Sequence, residues 1–261
     1  MNLESQLTNG LSGKVICPGD KSISQRILII GSLLNCDIEI SGFLDSEDPN
    51  STMMALNNLG SSIKKDNKIV SISHRPKPFS NPSSFLDLGN SGTGIRLLTG
   101  FISGLNIKAT LVGDDSLSKR PMSRVVDPLT LMGKEISTNS GTAPIQIKGG
   151  NIKDNFEYVM PIASAQVKSC LMLASLSSGN SIKITESKVT RDHTERMIEY
   201  LDGSIEISKS SHGKTIFLKN SKLSKISTYE VVGDFSSAAF IIVAALISKN
   251  SEVLIKNVGL N

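Results

Sequence analysis

Four segments of this chain begin alike, at intervals of 71, 71 and 72 residues counted from Ser22 to Thr93, Ser164 and Ser236. A fixed long period is the signature of a fold built from one repeated supersecondary unit, and it restricts the architecture more than any local motif. The segments are Pro18-Gly-Asp-Lys-Ser-Ile-Ser-Gln-Arg26, Gly89-Asn-Ser-Gly-Thr-Gly-Ile-Arg96, Ala163-Ser-Ala-Gln-Val-Lys168 and Gly233-Asp-Phe-Ser-Ser-Ala-Ala239. Each opens with a turn rich in small residues, passes through hydroxyl side chains, and runs into an apolar helical stretch. A β-like stretch follows each one: Ile38–Ser41, Lys108–Val112, Ser181–Thr185 and Glu252–Lys256. Then come a charged loop, a second amphipathic helix stopping near Gly60, Gly133 or Gly203, and further short strands. The pattern reads β-α-β-α-β-β, an α/β (α+β) class of fold.

Three units fit within residues 20–228, and the fourth is expected to stop short of its second helix at Asn261. The opening strand around Lys14–Cys17 has no place in the first unit and is expected to pair with the fourth. That arrangement gives one complete three-unit domain over 20–228 and an incomplete second one from 1–19 and 229–261. Two chain crossings near Pro18 and Val231 would join them.

Composition excludes several functions. Among 261 residues, 28 Lys+Arg against 24 Asp+Glu leave a net charge of only +4, spread without a basic stripe, and aromatic residues are 4% of the chain. Nucleic-acid binding needs a concentrated cationic face and stacking platforms, so this chain is not expected to bind it. The apolar run Phe240–Ile247 is far short of the ~20 residues needed to span a bilayer, and no signal or transit pattern opens the chain, so a cytoplasmic protein is expected. Cys17, Cys36 and Cys170 are odd in number and widely spaced, which reads as free thiols. His74, His193 and His212 lack metal-ligand spacing, so no metal site is expected.

Chemistry concentrates at the helix starts. Ser22, Ser91 or Thr93, Ser164 and Ser236 occupy N-cap-like positions, and each alone reads as a helix cap worth ~1 kcal/mol. Units of one domain, however, aim their helix N-termini in related directions. Free N–H groups and positive dipole ends then converge into an anion site. The flanking cations Lys21, Arg26, Arg120 and Arg191, with Asn90 and Gln166, suit phosphate and carboxylate ligands. The glycines of Gly89–Gly94 are in the wrong register for a dinucleotide fingerprint, Gly213-Lys-Thr lacks the upstream glycine of a P-loop, and no nucleophile elbow occurs.

With Leu88–Arg96, Lys119-Arg-Pro-Met122, Thr190-Arg-Asp-His-Thr-Glu195 and the other segments quoted above, the whole chain resembles the 5-enolpyruvylshikimate-3-phosphate (EPSP) synthases. The Ala-Ser-Ala-Gln and Thr-Arg-Asp-His-Thr-Glu forms resemble the bacterial class II branch. The resemblance implies the enolpyruvyl transferase fold of two three-unit domains. It implies transfer of enolpyruvyl from phosphoenolpyruvate to the 5-hydroxyl of shikimate 3-phosphate, by addition and elimination, without metal or organic cofactor. These two small molecules would be its partners, and a monomer is expected. Carried over residue by residue, Lys21 touches both substrates. Ser22, Arg26, Ser164, Ala165, Gln166 and Arg191 serve shikimate 3-phosphate. Asn90, Gly92, Thr93, Arg120 and Gln166 serve phosphoenolpyruvate.

The family's catalytic Asp and Glu lie in its second half, beyond Asn261, so this chain alone is expected to turn over little. Gly92 has no side chain to crowd the phosphonate of glyphosate, which implies a glyphosate-sensitive complete enzyme. The sister transferase acting on UDP-N-acetylglucosamine is the alternative within the fold. Its reactive Cys is missing from Asp114–Arg120, and Ser rather than Asn follows Lys21. A non-catalytic anion-binding module is the alternative outside it.

Overall fold

A computed structural model describes residues 4, 9–211 and 213–260; His212, Asn261 and residues 1–3 and 5–8 lie outside the described residues. The elements in chain order are β1 (Ser12–Ile16), α1 (Lys21–Leu34), β2 (Ile38–Ser41), α2 (Glu47–Asn58), β3 (Ser62–Asp66), β4 (Ile69–Ser73) and β5 (Leu86–Asp87). They continue with α3 (Gly92–Gly104), β6 (Ala109–Val112), α4 (Ser123–Leu131), β7 (Glu135–Asn139), β8 (Thr142–Gly149), β9 (Phe156–Val159), α5 (Ala165–Ser178) and β10 (Ile182–Glu186). Last come α6 (His193–Tyr200), β11 (Ile205–Ser210), β12 (Gly213–Leu218), β13 (Thr228–Glu230), α7 (Phe235–Ile247) and β14 (Glu252–Lys256).

The repeat is written into the sheets. Three four-stranded sheets have the orders β13-β2-β4-β3, β5-β6-β8-β7 and β9-β10-β12-β11. In each, the first pair is parallel and the other two are antiparallel. A parallel pair requires a crossover, and α1, α3 and α5 lead into the second strand of each sheet. Strand residues alternate in burial, as in the buried–half-buried pattern of β10, because one face packs inward.

The inward layer is helical. Leu97–Ser103 of α3, Ser24–Ser32 of α1 and Val167–Ser175 of α5 are buried without interruption. A helix apolar on all sides belongs in an interior, and these three form it. Helices α3 and α5 approach closely at Gly100, where a Cβ would fall 2.0 Å from the carbonyl oxygen of Cys170.

The first unit differs in one respect. Strand β1 precedes α1 in sequence but pairs in parallel with β14, Ser12 opposite Glu252. Strand β13 precedes α7 but pairs with β2, Thr228 opposite Glu39. The two segments exchange places where they pass. Asp20 N–H donates to Val232 O and Asp234 N–H to Pro18 O, both at 2.8 Å, with Gly19 and Gly233 bridged between them. A Cβ on Gly19 would sit 1.9 Å from Gly42 O, so only glycine admits this crossing.

Two of the expected caps are corrected. Ser91 and Ser164 are the N-caps of α3 and α5, but Ser22 and Ser236 lie inside the first turns of α1 and α7. Their caps are Asp20, accepting from Ile23 N, and Asp234, accepting from Ser236 N, each at 2.8 Å. A carboxylate accepts the free N–H and also opposes the positive helix end, so it takes the position ahead of the serine.

The packing at Gly100 gives a direct test. Gly100→Ala is expected to lower unfolding free energy by ~1–3 kcal/mol or more, since backbone on α5 must move. Gly149→Ala is expected to be near neutral, because the nearest neighbour of the added methyl would be Glu135 Oε2 at 3.6 Å. Urea unfolding of both variants checks the contrast.

Candidate functional site

The first turns of the three interior helices are tied to one another by side chains. From α1, Gln25 Nε2 donates to Ser91 Oγ at 2.6 Å and Thr52 Oγ1 at 3.1 Å, reaching the cap of α3 and the body of α2. From α3, Arg96 Nη1 donates to Gln166 Oε1 at 2.9 Å, and Gln166 Nε2 donates back to Thr93 Oγ1 at 3.1 Å, joining α3 to α5. From α1 again, Arg26 Nη2 donates to Ser169 Oγ at 2.9 Å, joining α1 to α5. The ring of contacts holds three helix N-termini side by side. Each end carries roughly half a positive charge, so they repel unless an anion lies across them.

The α3 end is the more open part. Asn90 Oδ1 accepts from Arg120 Nη2, and Asn90 Nδ2 donates to Asp114 Oδ2 at 3.0 Å. Arg120 lies over Gly92, where a Cβ would come within 2.7 Å of its Nη1 and 3.2 Å of Arg96 Nη1. Asn90, Gly92, Thr93, Arg120 and Gln166 are therefore one cluster, and Arg96 belongs to it. Burial and the neighbouring Arg120 and Arg124 charges hold the Arg96 guanidinium below its ordinary pKa. None of Arg96, Arg120 and Arg124 makes an ion pair among the described residues.

The α1 end is arranged differently. Lys21 is exposed and ion-paired with Asp48 at 2.8 Å, so a ligand engaging Lys21 must compete with that carboxylate. Ser22 is half-buried beside it. Arg26, expected to serve shikimate 3-phosphate, stands beneath the floor at 3% exposure. Its Nε donates to Thr194 Oγ1 and its Nη1 to Ser22 O, at 2.8 and 2.9 Å. With the Ser169 bond these use three of its five N–H groups. Burial pulls its pKa down to about 10, against the opposing pull of Glu195.

Arg191 is exposed, has no hydrogen bond or ion pair among the described residues, and lies close enough to Arg26 to affect its charge. His193 is buried at the start of α6, and its Nε2 has no partner. Desolvation, then Arg26 and Arg191, depress its pKa, with Asp20 and Asp192 opposing. At α5, Ser164 Oγ accepts from Val167 N at 3.4 Å, and Ala165 is the first helical residue.

Residues outside the sequence expectation complete the ring: Gln25, Arg96, Ser169, Thr194 and Asp48. Arg96 was within reach of sequence reasoning, because it lies one turn after Gly92 and its Nη1 donates to Gly92 O at 3.1 Å. The burial of Arg26 could not be read from the sequence, because the partners that bury it come from α5 and α6.

The fold and this site define a protein of repeated α/β units, with cationic and hydrogen-bonding side chains gathered at converging helix ends. The family model of EPSP synthase (3-phosphoshikimate 1-carboxyvinyltransferase) matches residues 6–261, and the chain belongs to that family. It is 42% identical to the 3-phosphoshikimate 1-carboxyvinyltransferase of Legionella pneumophila strain Lens, over 100% of this chain and 60% of the relative. It is 44% identical to that of Leptospira biflexa, over 99% of this chain and 61% of the relative. A solved structure of EPSP synthase from Acinetobacter baumannii superposes with a TM-score of 0.86 at 38% identity, covering 97% of this chain and 57% of that one. The chain thus spans about 60% of the length of the curated relatives it matches.

His193 sets a pH dependence with a definite sign. A histidine whose folded pKa is depressed leaves the unfolded chain binding the proton first as pH falls through about 6.5. Folding stability is therefore expected to drop between pH 7 and 5.5, and less so in His193→Gln. Urea unfolding at the two pH values measures the difference.

Proposed function

We propose that this chain provides the shikimate 3-phosphate half of an enolpyruvyl transferase, which moves enolpyruvyl from phosphoenolpyruvate to the shikimate 5-hydroxyl and releases phosphate. The observation that carries the reading is the ring of three helix N-termini bordered by unpaired arginines. It offers N–H donors, dipole ends and guanidinium forks to ligands bearing two phosphates and carboxylates.

In the proposed complex, shikimate 3-phosphate lies over the starts of α1 and α5. Lys21, Ser22, Ser164, Ala165 and Gln166 hold its ring and acidic groups, and Arg191 takes the 3-phosphate. Arg26 acts from below, through its two remaining N–H groups and by fixing Ser22. Phosphoenolpyruvate lies over α3, with its phosphate at Gly92, Thr93, Asn90 and Arg120. Gln166 stands between the two ligands, its amide orientation set by Arg96 and Thr93. Lys21, released from Asp48, neutralises charge between them.

The reaction is an addition followed by an elimination. The 5-hydroxyl gives up its proton to a base as its oxygen bonds to C2 of phosphoenolpyruvate, and C3 takes a proton from an acid, giving a tetrahedral ketal. C3 then loses a proton as the C2–phosphate bond breaks, restoring the double bond. Once Lys21 is freed from Asp48, the cations here would stabilise the phosphate and carboxylate charges throughout. The proton transfers fall to carboxylates outside this chain by resemblance to the family, so the chain alone would turn over little. Residues 20–228 would be the substrate-holding body, and 1–19 with 229–261 part of a second; the pairing of β1 with β14 supports that division. Free, buried Cys17 and Cys170 support a reducing, cytoplasmic setting.

Calorimetric titration with shikimate 3-phosphate tests the reading, with UDP-N-acetylglucosamine and inorganic phosphate as controls. Saturable binding is expected for shikimate 3-phosphate and none for the sugar nucleotide. Arg191→Ala is expected to weaken it roughly ten- to hundredfold, the worth of one or two charge-assisted hydrogen bonds. Tighter binding of the sugar nucleotide would favour the sister reaction. Substrate binding by a full-length protein that turns nothing over would favour a non-catalytic module.

The Gly92 contacts yield a second test, in the full-length enzyme. Gly92→Ala places a methyl group against Arg120 and Arg96, so it is expected to weaken both phosphoenolpyruvate and glyphosate. Unchanged glyphosate inhibition in a steady-state phosphate-release assay would count against the site assignment.

A further inference from the structure

Behind the α5 end lies a group of charges that the ligand site does not use. Lys168, Glu186, Glu195 and Lys214 are buried, Lys168 and Glu186 completely. Lys168 Nζ lies 2.7 Å from Glu195 Oε1 and 3.0 Å from Glu186 Oε1, and Lys214 Nζ lies 3.1 Å from Glu195 Oε1. The four come from four elements, α5, β10, α6 and β12, and their formal charges cancel.

Charges taken out of water are a poor way to gain stability, because apolar side chains of similar size do as well. What such a network supplies is a fixed geometry, and here that geometry reaches one segment. Glu186 ends β10, Glu195 sits in the first turn of α6, and between them runs 187–192, which carries Arg191. The segment has little packing of its own: Val189 is 65% exposed, and Arg191 has no partner among the described residues. Its end is tied to α6, where Asp192 O accepts from Arg196 N at 2.9 Å and Asp192 Oδ1 from Arg196 Nε at 2.8 Å, and its middle is anchored by Thr190. Thr190 Oγ1 donates to Glu186 Oε2 at 2.6 Å, and its N–H approaches Glu186 Oε1 at 3.4 Å. Lys168 joins that anchor to α5, where its own N–H donates to Ser164 O at 3.0 Å.

We infer that the buried Lys168–Glu186–Glu195–Lys214 network is a positioning device that holds Thr190, and through it Arg191, at a fixed distance from the Ser164–Gln166 turn. None of the four touches the ligand. Their effect on binding passes through Arg191, and this part of the inference rests on the phosphate role proposed for that residue.

Thr190→Val keeps the shape and removes the hydroxyl bond to Glu186; Lys168→Met cuts the link to α5. Amide hydrogen exchange in the ligand-free chain is the first readout. In both variants exchange across 187–192 is expected to quicken about tenfold, with α1 and α3 unchanged, as for a local opening. Should Lys168→Met not fold, Thr190→Val alone decides, and unchanged exchange in Thr190→Val overturns the inference. The second readout is shikimate 3-phosphate affinity. Thr190→Val is expected to weaken it several-fold, about what coupled neighbours show, and to have no effect when added to Arg191→Ala. An equal loss in both backgrounds would mean a general structural defect and would overturn it. Failure of the unmodified chain to bind shikimate 3-phosphate, with the exchange response intact, would sink the functional reading and leave the positioning device supported.

Discussion

Three helices laid side by side with their positive ends together are the constraint on which this molecule depends. Parallel helix dipoles repel, and α1, α3 and α5 are brought together regardless, because their apolar surfaces have nowhere else to go and Gly100 admits the carbonyl of Cys170. The first turns are then locked by Gln25, Arg26, Arg96 and Gln166. Packing energy spread over whole helices thus maintains an electrostatic arrangement unfavourable without a ligand. An anion across the three ends, as in the proposed complex, would remove the unfavourable term, so that binding strength would be stored in the interior rather than made at the surface.

Charge is handled in two distinct ways within a few residues of sequence. Arg96, Arg120 and Arg191 are left without carboxylates and remain available to a ligand. Lys168, Glu186, Glu195 and Lys214 are paired with one another in the interior, and through Glu186 with Thr190. Arg26 falls between, buried like the second group but paired only with hydroxyl and carbonyl oxygens, and its pKa reflects that.

Much of this was legible in the chain itself. The period near 71 residues gave the unit, and the hydroxyl clusters gave the ends of α3 and α5, because caps and periodic apolar runs are local in sequence. Long-range facts were less accessible. The aspartates outcompete Ser22 and Ser236 as caps through a dipole term that residue type alone does not rank. Arg26 is hidden by Ser169 and Thr194, both more than 140 positions away. Lys168 did carry a signal: a lone lysine within an apolar helical run must be paired or must end the run. Its partners, on β10, α6 and β12, could be named only once the strands were in register.

The exchange of β1 and β13 sets an order of assembly. The first-unit sheet borrows its parallel edge from a strand about 190 positions downstream, and β1 waits for a partner about 240 positions away. Contacts of such separation are slow to close, because the intervening chain must first give up its freedom. The second and third units hold all their own strands and can form as they emerge from the ribosome. The first unit begins earliest and finishes late, so during synthesis the Ile38–Ser41 strand edge stays open until Thr228–Glu230 arrives to cover it.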